Sequence, residues 1–302
     1  MFNEIGGNEE LTINFIMLAI AALLLGADFA LNKVYQRAYG ATPKSPFYFN
    51  ALLGLFTFLV FFATNGFRLA FTPFSAVLAA LMSLFVMSYN VIGFRILKHS
   101  GSVAVYTLYL MTGGMILPYL WGVAFLNERL SVSKIVGLAV IAAGVILPNL
   151  SGKRNTDVKQ LVMCAAVFVL NGCVSIVSKM HQIEAVYRTV GTIDFVALGG
   201  MFKFLFAGAL FLLFKRPDAS KGRISAKAAV IIALASAVVG GGSYALQLIG
   251  AKAVPATVLY PFITGGSIVF SALADAIVFK KRISGRLAAS VLLCFFGTLL
   301  FI

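Results

Sequence analysis

Two ionisable side chains stand inside long apolar stretches of the sequence, where an unpaired charge is costly. Lys203 is flanked on both sides by apolar and small residues, and Asp28 lies deep in the first apolar stretch, shortly before Asn32 and Lys33. An ammonium group at the centre of a membrane helix costs a few kcal/mol even on insertion scales. Lys203 therefore needs an acidic partner, a change of protonation or an anionic ligand.

Each of these two residues has two interpretations. Lys203 either faces a cavity and binds a carboxylate or phosphate group, or it belongs to a structural ion pair or snorkels toward the interface. Asp28 is either a proton-coupling group or the partner of Lys33.

Polar residues recur at intervals of three or four in several apolar stretches, which places them on one helix face. The stripes are Tyr260, Thr264, Ser267 and Ser271; Tyr109, Thr112 and Tyr119; and Ser236, Gly240, Ser243 and Gln247. Since lipid offers no partner, such a stripe faces either a wet cavity or a neighbouring helix, where a hydrogen bond is worth about 0.6 kcal/mol. The residues that we predict to bind substrate are Lys203, Tyr260, Thr264, Tyr109, Thr112, Gln247, Tyr244, Asn90 and Asn171.

The sequence contains no arrangement typical of catalysis. There is no phosphate-binding glycine loop, no metal-spaced His/Cys cluster and no nucleophile elbow. Cys164, Cys173 and Cys294 fall inside apolar stretches and are interpreted as packing residues, while His99 and His181 are interpreted as solvated turn residues. We therefore expect no enzyme activity, no metal and no cofactor.

The composition predicts an integral membrane protein. Of the 302 residues, 61% are hydrophobic and 11% are charged, whereas a soluble domain carries about 25% charged residues. Stretches of about 20 apolar residues are long enough to cross a bilayer as helices.

The net charge of +14 is spread over short turns rather than gathered in one patch, which argues against nucleic acid as a partner. The expected partners are a small-molecule substrate and the lipid bilayer. The sequence leaves open whether the protein also forms a homodimer.

Ten stretches could span the membrane, so we predict an all-α integral membrane protein with ten transmembrane helices. The predicted spans are Asn14–Tyr35, Pro46–Thr64, Pro73–Arg95, Ser102–Leu126, Val132–Asn149, Gln160–Met180, Gly191–Phe214, Lys227–Gly250, Ala256–Phe279 and Gly285–Ile302.

The chain also contains an internal repeat. Thr112-Gly113-Gly114 and a later Arg129-Leu130-Ser131 return as Thr264-Gly265-Gly266 and Arg282-Ile283-Ser284. The repeat divides the chain into residues 1–150 and 151–302, with five helices in each part. An odd number of helices makes the second part enter the membrane from the opposite side, which predicts two inverted five-helix repeats. The glycines, with Pro118 and Pro261 nearby, indicate either broken helices at a midplane site or tight helix packing.

The distribution of Lys and Arg predicts the orientation. Of the 24 Lys and Arg residues, seventeen fall in turns on one side and six on the other, and cytoplasmic loops carry the excess. The side with six residues, which include Arg129, Lys179, Arg188 and Lys252, is then outside. Both termini are predicted to lie outside as well.

The run Val123-Ala124-Phe125-Leu126-Asn127-Glu128-Arg129-Leu130-Ser131 resembles the drug/metabolite transporter superfamily, and in particular its ten-helix EamA type. That family places a Glu-Arg/Lys-Leu/Ile-Ser turn between the fourth and fifth helices of each half. The second half of this chain departs from the pattern, with Lys281 where the glutamate is expected, although Val254-Pro255-Ala256-Thr257 matches the usual start of the ninth helix. The resemblance implies an inner-membrane carrier, commonly an exporter of amino acids, metabolites or drugs.

These observations predict a secondary active transporter, an exporter or exchanger, of a small anionic or zwitterionic metabolite such as an amino acid or a phosphorylated compound. Transport would proceed by alternating access through a midplane cavity in the cell membrane. One alternative is a cation or multidrug exporter, although the small four-helix multidrug proteins use a first-helix glutamate where this chain has only Asp28. The other is a membrane scaffold that transports nothing.

Overall fold

The computed structural model describes residues 2–39, 44–100, 103–147, 158–213, 226–279 and 285–302, and these residues fold into helices joined by short turns, without a strand. In chain order the helices are α1 (Phe2–Tyr39), α2 (Ser45–Thr64), α3 (Pro73–Ser100), α4 (Val103–Phe125), α5 (Val132–Ile146), α6 (Val158–Ile183), α7 (Thr192–Leu213), α8 (Ala226–Ala253), α9 (Ala256–Phe279) and α10 (Gly285–Leu299). The sequence-predicted spans fall on these helices, but α1 begins well before the predicted start at Asn14.

Seven helices of the described chain are long and apolar enough to cross a membrane. They contribute apolar segments of 20 to 27 residues, in α1, α2, α3, α6, α7, α8 and α9. Shorter apolar segments lie in α4 (Tyr109–Phe125), α5 (Val132–Ile146) and α10 (Gly285–Leu299). Many large apolar side chains point outward, for example Val77 and Leu212, as expected of a surface that faces lipid. The chain is therefore a multi-pass helical membrane protein.

Helices α2 and α7 pack with their backbones in contact. A Cβ atom added to Gly54 would lie 2.5 Å from the backbone nitrogen of Phe204, and one added to Gly200 would lie 2.6 Å from the backbone nitrogen of Phe58. The residue numbers run in opposite directions along the two helices, so α2 and α7 are antiparallel. Glycine is required at this crossing because any side chain would push the helices apart.

Helices α5 and α10 form a second antiparallel pair. A Cβ atom on Gly137 would lie 2.9 Å from the carbonyl oxygen of Gly297, and the hydroxyl of Ser290 donates a 2.6 Å hydrogen bond to the carbonyl of Gly144. Cys294 is buried against Gly144, which confirms its interpretation as a packing residue.

The remaining helices form the centre of the protein. Helix α1 packs against α8 and α9, and α6 packs against α3 and α4. The hydroxyl of Ser243 in α8 donates to the carbonyl of Ala21 in α1 at 2.7 Å, and Ser178 and His181 of α6 contact Met82 and Ser75 of α3. The largest apolar cluster lies among α1, α4 and α9, and includes the fully buried Leu18, Met115 and Leu259.

The paired Thr-Gly-Gly motifs lie within continuous helices, so the predicted breaks are absent from the described α4 and α9. A Cβ atom on Gly113 would collide with the backbone carbonyl of Phe168, and one on Gly265 would collide with Thr298. Tight packing is therefore the physical role of these two glycines.

The interpretation of His181 as a solvated turn residue is wrong, because His181 is buried, and so is Lys179, which the orientation count assigned to a turn. Lys179 is only 4% exposed, and the ring of His181 is 2% exposed and stacks on Phe195 with 3.7 Å between the ring centroids. The imidazole of His181 also forms a 2.9 Å hydrogen bond with the hydroxyl of Ser75. Helix α6 extends past the predicted end at Met180, and these side chains point inward from its last turns. The side chain of His99 lies outside the described residues.

Asp194, in the first turn of α7, holds the loop between α2 and α3 against that helix. One carboxylate oxygen accepts 2.8 Å hydrogen bonds from the side-chain amide of Asn65 and from the backbone N–H of Ala70.

We expect Asp194→Ala to lower the free energy of unfolding by about 2 kcal/mol, because it removes two charge-assisted hydrogen bonds from a buried site. Thermal unfolding of the detergent-solubilised protein measures this loss. Equal loss for Glu184→Ala, whose carboxylate accepts hydrogen bonds from the backbone of Val186 and Tyr187 in its own turn, would contradict the assignment.

Candidate functional site

A chamber of about 190 Å³ lies between α1, α3, α4, α6, α8 and α9 and is called chamber 1 here. Its wall combines apolar side chains such as Leu110 and Ile263 with hydroxyl and amide groups. The polar members are Tyr89, Asn171, Ser175, Ser178, Tyr244, Gln247, Tyr260, Thr264 and Ser267. A mixed lining of this kind suits a small amphipathic molecule, because a few polar groups orient it while apolar contacts bury the rest.

A second chamber of about 140 Å³, called chamber 2, lies among α1, α2, α7 and α8. Asp28 of α1 and Lys203 of α7 both line it, together with Thr57 and Ser236. Asp28 and Lys203 are deep in the bundle but keep accessible surface, and they are close enough to interact electrostatically. Both signs of charge therefore face one small space at the middle of the protein.

One carboxylate oxygen of Asp28 can accept a further hydrogen bond. Its Oδ1 atom is buried, and so is the hydroxyl of Ser236; neither completes a hydrogen bond of normal geometry within the described residues. The side-chain amide of Asn32 donates to the backbone carbonyl of Asp28 at 2.8 Å. Buried polar groups normally have partners, so this corner of chamber 2 is suited to receive a donor from a bound molecule.

Tyr244 and Gly240 of α8 line both chambers and separate them. The hydroxyl of Tyr244 lies 2.7 Å from the hydroxyl of Ser178 and 2.7 Å from the sulfur of Met82. A Cβ atom on Gly240 would lie 2.9 Å from the carboxylate carbon of Asp28. The missing side chain at this position is what lets Asp28 reach the boundary between the chambers.

The structure brings together seven of the ten predicted site residues. Tyr260, Thr264, Tyr244, Gln247 and Asn171 line chamber 1, and Lys203 and Asp28 line chamber 2. Two of them also bind the neighbouring backbone. The amide of Asn171 donates to the carbonyl of Leu110 at 2.7 Å, and the hydroxyl of Tyr260 donates to the carbonyl of Ser175.

Tyr109, Thr112 and Asn90 lie outside both chambers. Thr112 is 9% exposed and its hydroxyl donates to the backbone carbonyl of Tyr109, whose ring packs against the central apolar cluster. The side-chain amide of Asn90 donates to the side-chain carbonyl of Asn50 at 3.0 Å, which joins α3 to α2. Asn90 therefore joins two helices, the hydrogen bond of Thr112 lies within α4, and the ring of Tyr109 belongs to the packing of the apolar cluster.

Besides Tyr89 of α3, sequence reasoning missed two polar residues of chamber 1 on α6, Ser175 and Ser178. They follow Asn171 at intervals of four and three residues, which is the helical spacing used for the other stripes. Within the described part of the chain, no group of three or more His, Cys, Asp or Glu residues is placed to hold a metal ion.

The fold and its chambers define a class: a helical membrane protein with a charged, partly polar interior. No family model matches the chain, and no curated protein matches it. Solved structures do match. One protein known from a crystal structure superposes with a TM-score of 0.74 over 96% of each chain, at 20% sequence identity. At this identity the likeness shows a shared fold alone.

Proposed function

We propose that the protein is a secondary active transporter of the drug/metabolite transporter superfamily, of the EamA type, and that it carries a small zwitterionic metabolite. The observation that carries the proposal is the pair of opposite charges, Asp28 and Lys203, on the wall of one central chamber. Charged groups are costly inside a membrane protein and mark substrate or ion pathways. The sequence left an anionic and a zwitterionic substrate open, and Asp28 beside Lys203 favours the zwitterion.

Helix packing supports the proposed arrangement of ten spanning helices in two inverted repeats. Under that arrangement α2, α4 and α5 correspond to α7, α9 and α10, and each helix packs on its counterpart. In addition, α1 packs on α8 and α9, while α6, its counterpart, packs on α3 and α4. A pseudo-two-fold axis produces self-pairing of the helices nearest to it and this exchange of partners, and the antiparallel direction of the α2–α7 and α5–α10 pairs favours an axis in the membrane plane.

The two chambers together suit an amphipathic substrate. The ammonium of Lys203 would bind the carboxylate of the substrate, and the free Oδ1 atom of Asp28 would accept a hydrogen bond from its amino group. The apolar part of the substrate would extend past Tyr244 into chamber 1. The distribution of Lys and Arg supports insertion in the cell membrane with both termini outside.

A cation exporter is the second candidate, and the free carboxylate oxygen of Asp28 is the observation that favours it. The ammonium of Lys203 on the same chamber disfavours a cationic substrate by charge repulsion. The two candidates therefore differ in the expected charge of the substrate.

Counterflow in proteoliposomes tests the proposal. Vesicles that contain the purified protein are loaded with unlabelled L-threonine, L-phenylalanine, L-lysine, glucose 6-phosphate or tetraphenylphosphonium, and uptake of the labelled counterpart is measured. We expect exchange of a net-neutral amino acid to exceed that of L-lysine and glucose 6-phosphate by about tenfold, because a single unpaired charge in the site costs at least 1.4 kcal/mol. Exchange of tetraphenylphosphonium alone would establish the cation exporter, and no exchange of any compound would overturn the proposal.

A further inference from the structure

We infer that Glu128 and Lys179 form a latch that holds the turn between α8 and α9 and closes chamber 1 at that end of the protein. The inference rests on the proposed function, because a closed end has meaning only if the chamber opens to one side at a time. It assigns to these two residues a role in access that is separate from substrate binding.

Glu128 fixes the start of α9 from outside that helix. Its two carboxylate oxygens each accept a 2.7 Å hydrogen bond, one from the backbone N–H of Ala256 and the other from that of Thr257. The first N–H groups of a helix have no partner within the helix, and the helix dipole favours a negative charge there. Glu128 comes from the loop between α4 and α5, so this contact joins two separate parts of the chain.

The geometry of that loop aims Glu128 at α9. The backbone N–H of Glu128 bonds to the carbonyl of Gly122 across the end of α4, and Asn127 has a φ of 52°. A left-handed residue followed by this hydrogen bond reverses the chain at a helix end, and asparagine tolerates the conformation. A Cβ atom on Gly122 would lie 2.9 Å from a carboxylate oxygen of Glu128, so only glycine leaves room for the carboxylate here.

Lys179 fixes the end of α8 in the complementary way. Its ammonium donates to the backbone carbonyls of Ala251 and Val254, at 2.6 Å and 2.8 Å. The last carbonyls of a helix lack partners within the helix, and the dipole favours a positive charge there. The turn from Ala251 to Thr257 is therefore held on one side by a cation from α6 and on the other by an anion from the α4–α5 loop.

The held turn borders chamber 1. Ala251, whose carbonyl receives Lys179, lines the chamber, and so does Ser178, the neighbour of Lys179. Tyr260, one helical turn after Ala256, lines it too, and its hydroxyl bonds to the carbonyl of Ser175. Movement of the α8–α9 turn would shift α9 and its chamber residues away from α6. Release of the latch therefore opens chamber 1 toward the end that carries Arg129 and Lys252.

Thiol accessibility tests the latch without any transport measurement. The three native cysteines are replaced by alanine, and Ser175→Cys places one thiol on the wall of chamber 1. A membrane-impermeant methanethiosulfonate reagent is then added to oriented vesicles from either side. We expect Glu128→Gln to raise the labelling rate about tenfold from the side of the α8–α9 turn, because a neutral amide turns an N–H donor toward the backbone N–H groups of α9.

Glu184→Gln is the matched control. Glu184 lies at the same end of the protein, and the backbone N–H groups of Val186 and Tyr187 lower the pKa of its carboxyl group, but the carboxylate does not reach α8 or α9. This control should label at the parental rate. Gly122→Ala, which displaces the Glu128 carboxylate without removing it, should accelerate labelling from the same side as Glu128→Gln does.

An unchanged rate in both Glu128→Gln and Gly122→Ala, or equal acceleration from the two sides, would overturn the latch. A melting temperature measured for each variant separates a local opening from unfolding, since unfolded protein labels equally from both sides. If the parent protein exchanges no metabolite in counterflow but one-sided acceleration is seen, the proposed function fails, and only the closure of chamber 1 by Glu128 stands, without a role in transport. If exchange is seen without acceleration, the latch alone fails.

Discussion

Replacement of Lys203 by methionine is expected to lower exchange of the net-neutral amino acid about a hundredfold, because one charge-assisted hydrogen bond is worth 1.5–3 kcal/mol. Methionine keeps much of the length and apolar volume of the lysine stem but provides no cation for a carboxylate in chamber 2. Lys203→Arg keeps the charge and should retain part of the activity. Initial rates of counterflow over a range of substrate concentrations measure both effects.

Two further variants separate substrate binding from stability. Lys203→Met leaves Asp28 in chamber 2 without its cation, which should lower the melting temperature because removal of one member of an interior charge pair destabilises a protein. Asp28→Asn in the same chain should restore the melting temperature but not the exchange. Lys252→Met changes an exposed lysine of α8 and should leave both quantities unchanged. Full exchange by Lys203→Met would show that the ammonium does not contact the substrate.

Gly200→Val is expected to cause the largest loss of stability among single changes in α7. The new side chain would meet the backbone of α2 at Phe58 and Gly54, with its Cβ atom 2.6 Å and 2.9 Å from the nearest atoms. Backbone atoms cannot rotate away, so the two helices must separate, and overpacking of this kind costs about 3 kcal/mol. The midpoint of thermal unfolding in detergent measures the loss.

Gly208→Val provides a comparison in the same helix. A Cβ atom on Gly208 meets nothing within 4 Å, so this variant should keep its stability to within about 0.5 kcal/mol. If Gly200→Val and Gly208→Val had the same midpoint of thermal unfolding, the close crossing of α2 and α7 would be wrong.

The helical membrane fold could be predicted because it follows from composition and from the length of apolar stretches. The charges of Asp28 and Lys203 were also visible in the sequence, since few ionisable residues interrupt those stretches. Their meeting at one chamber was not visible, because it depends on how α1, α7 and α8 cross.

The exact surroundings of the polar residues could not be predicted, for a physical reason. A polar stripe shows that one helix face avoids lipid, but a cavity and a neighbouring helix satisfy that need equally well. Asn171 therefore lines chamber 1 while Asn90, chosen on similar grounds, binds Asn50. His181 was misplaced because residues in the last turns of a helix point inward or outward according to the packing, which the sequence does not state.

The backbone contact between Gly54 and Gly200 also constrains how the protein can change shape. With no side chain between them at Gly54 and Gly200, α2 and α7 cannot slide past each other there without a clash of backbone atoms, so they form a single rigid strut. Lys203 lies three residues from Gly200 and is carried on this strut. In the proposed transporter, a change of access would leave the ammonium at a fixed height against α2, while the walls built by α8 and α9 would move relative to it.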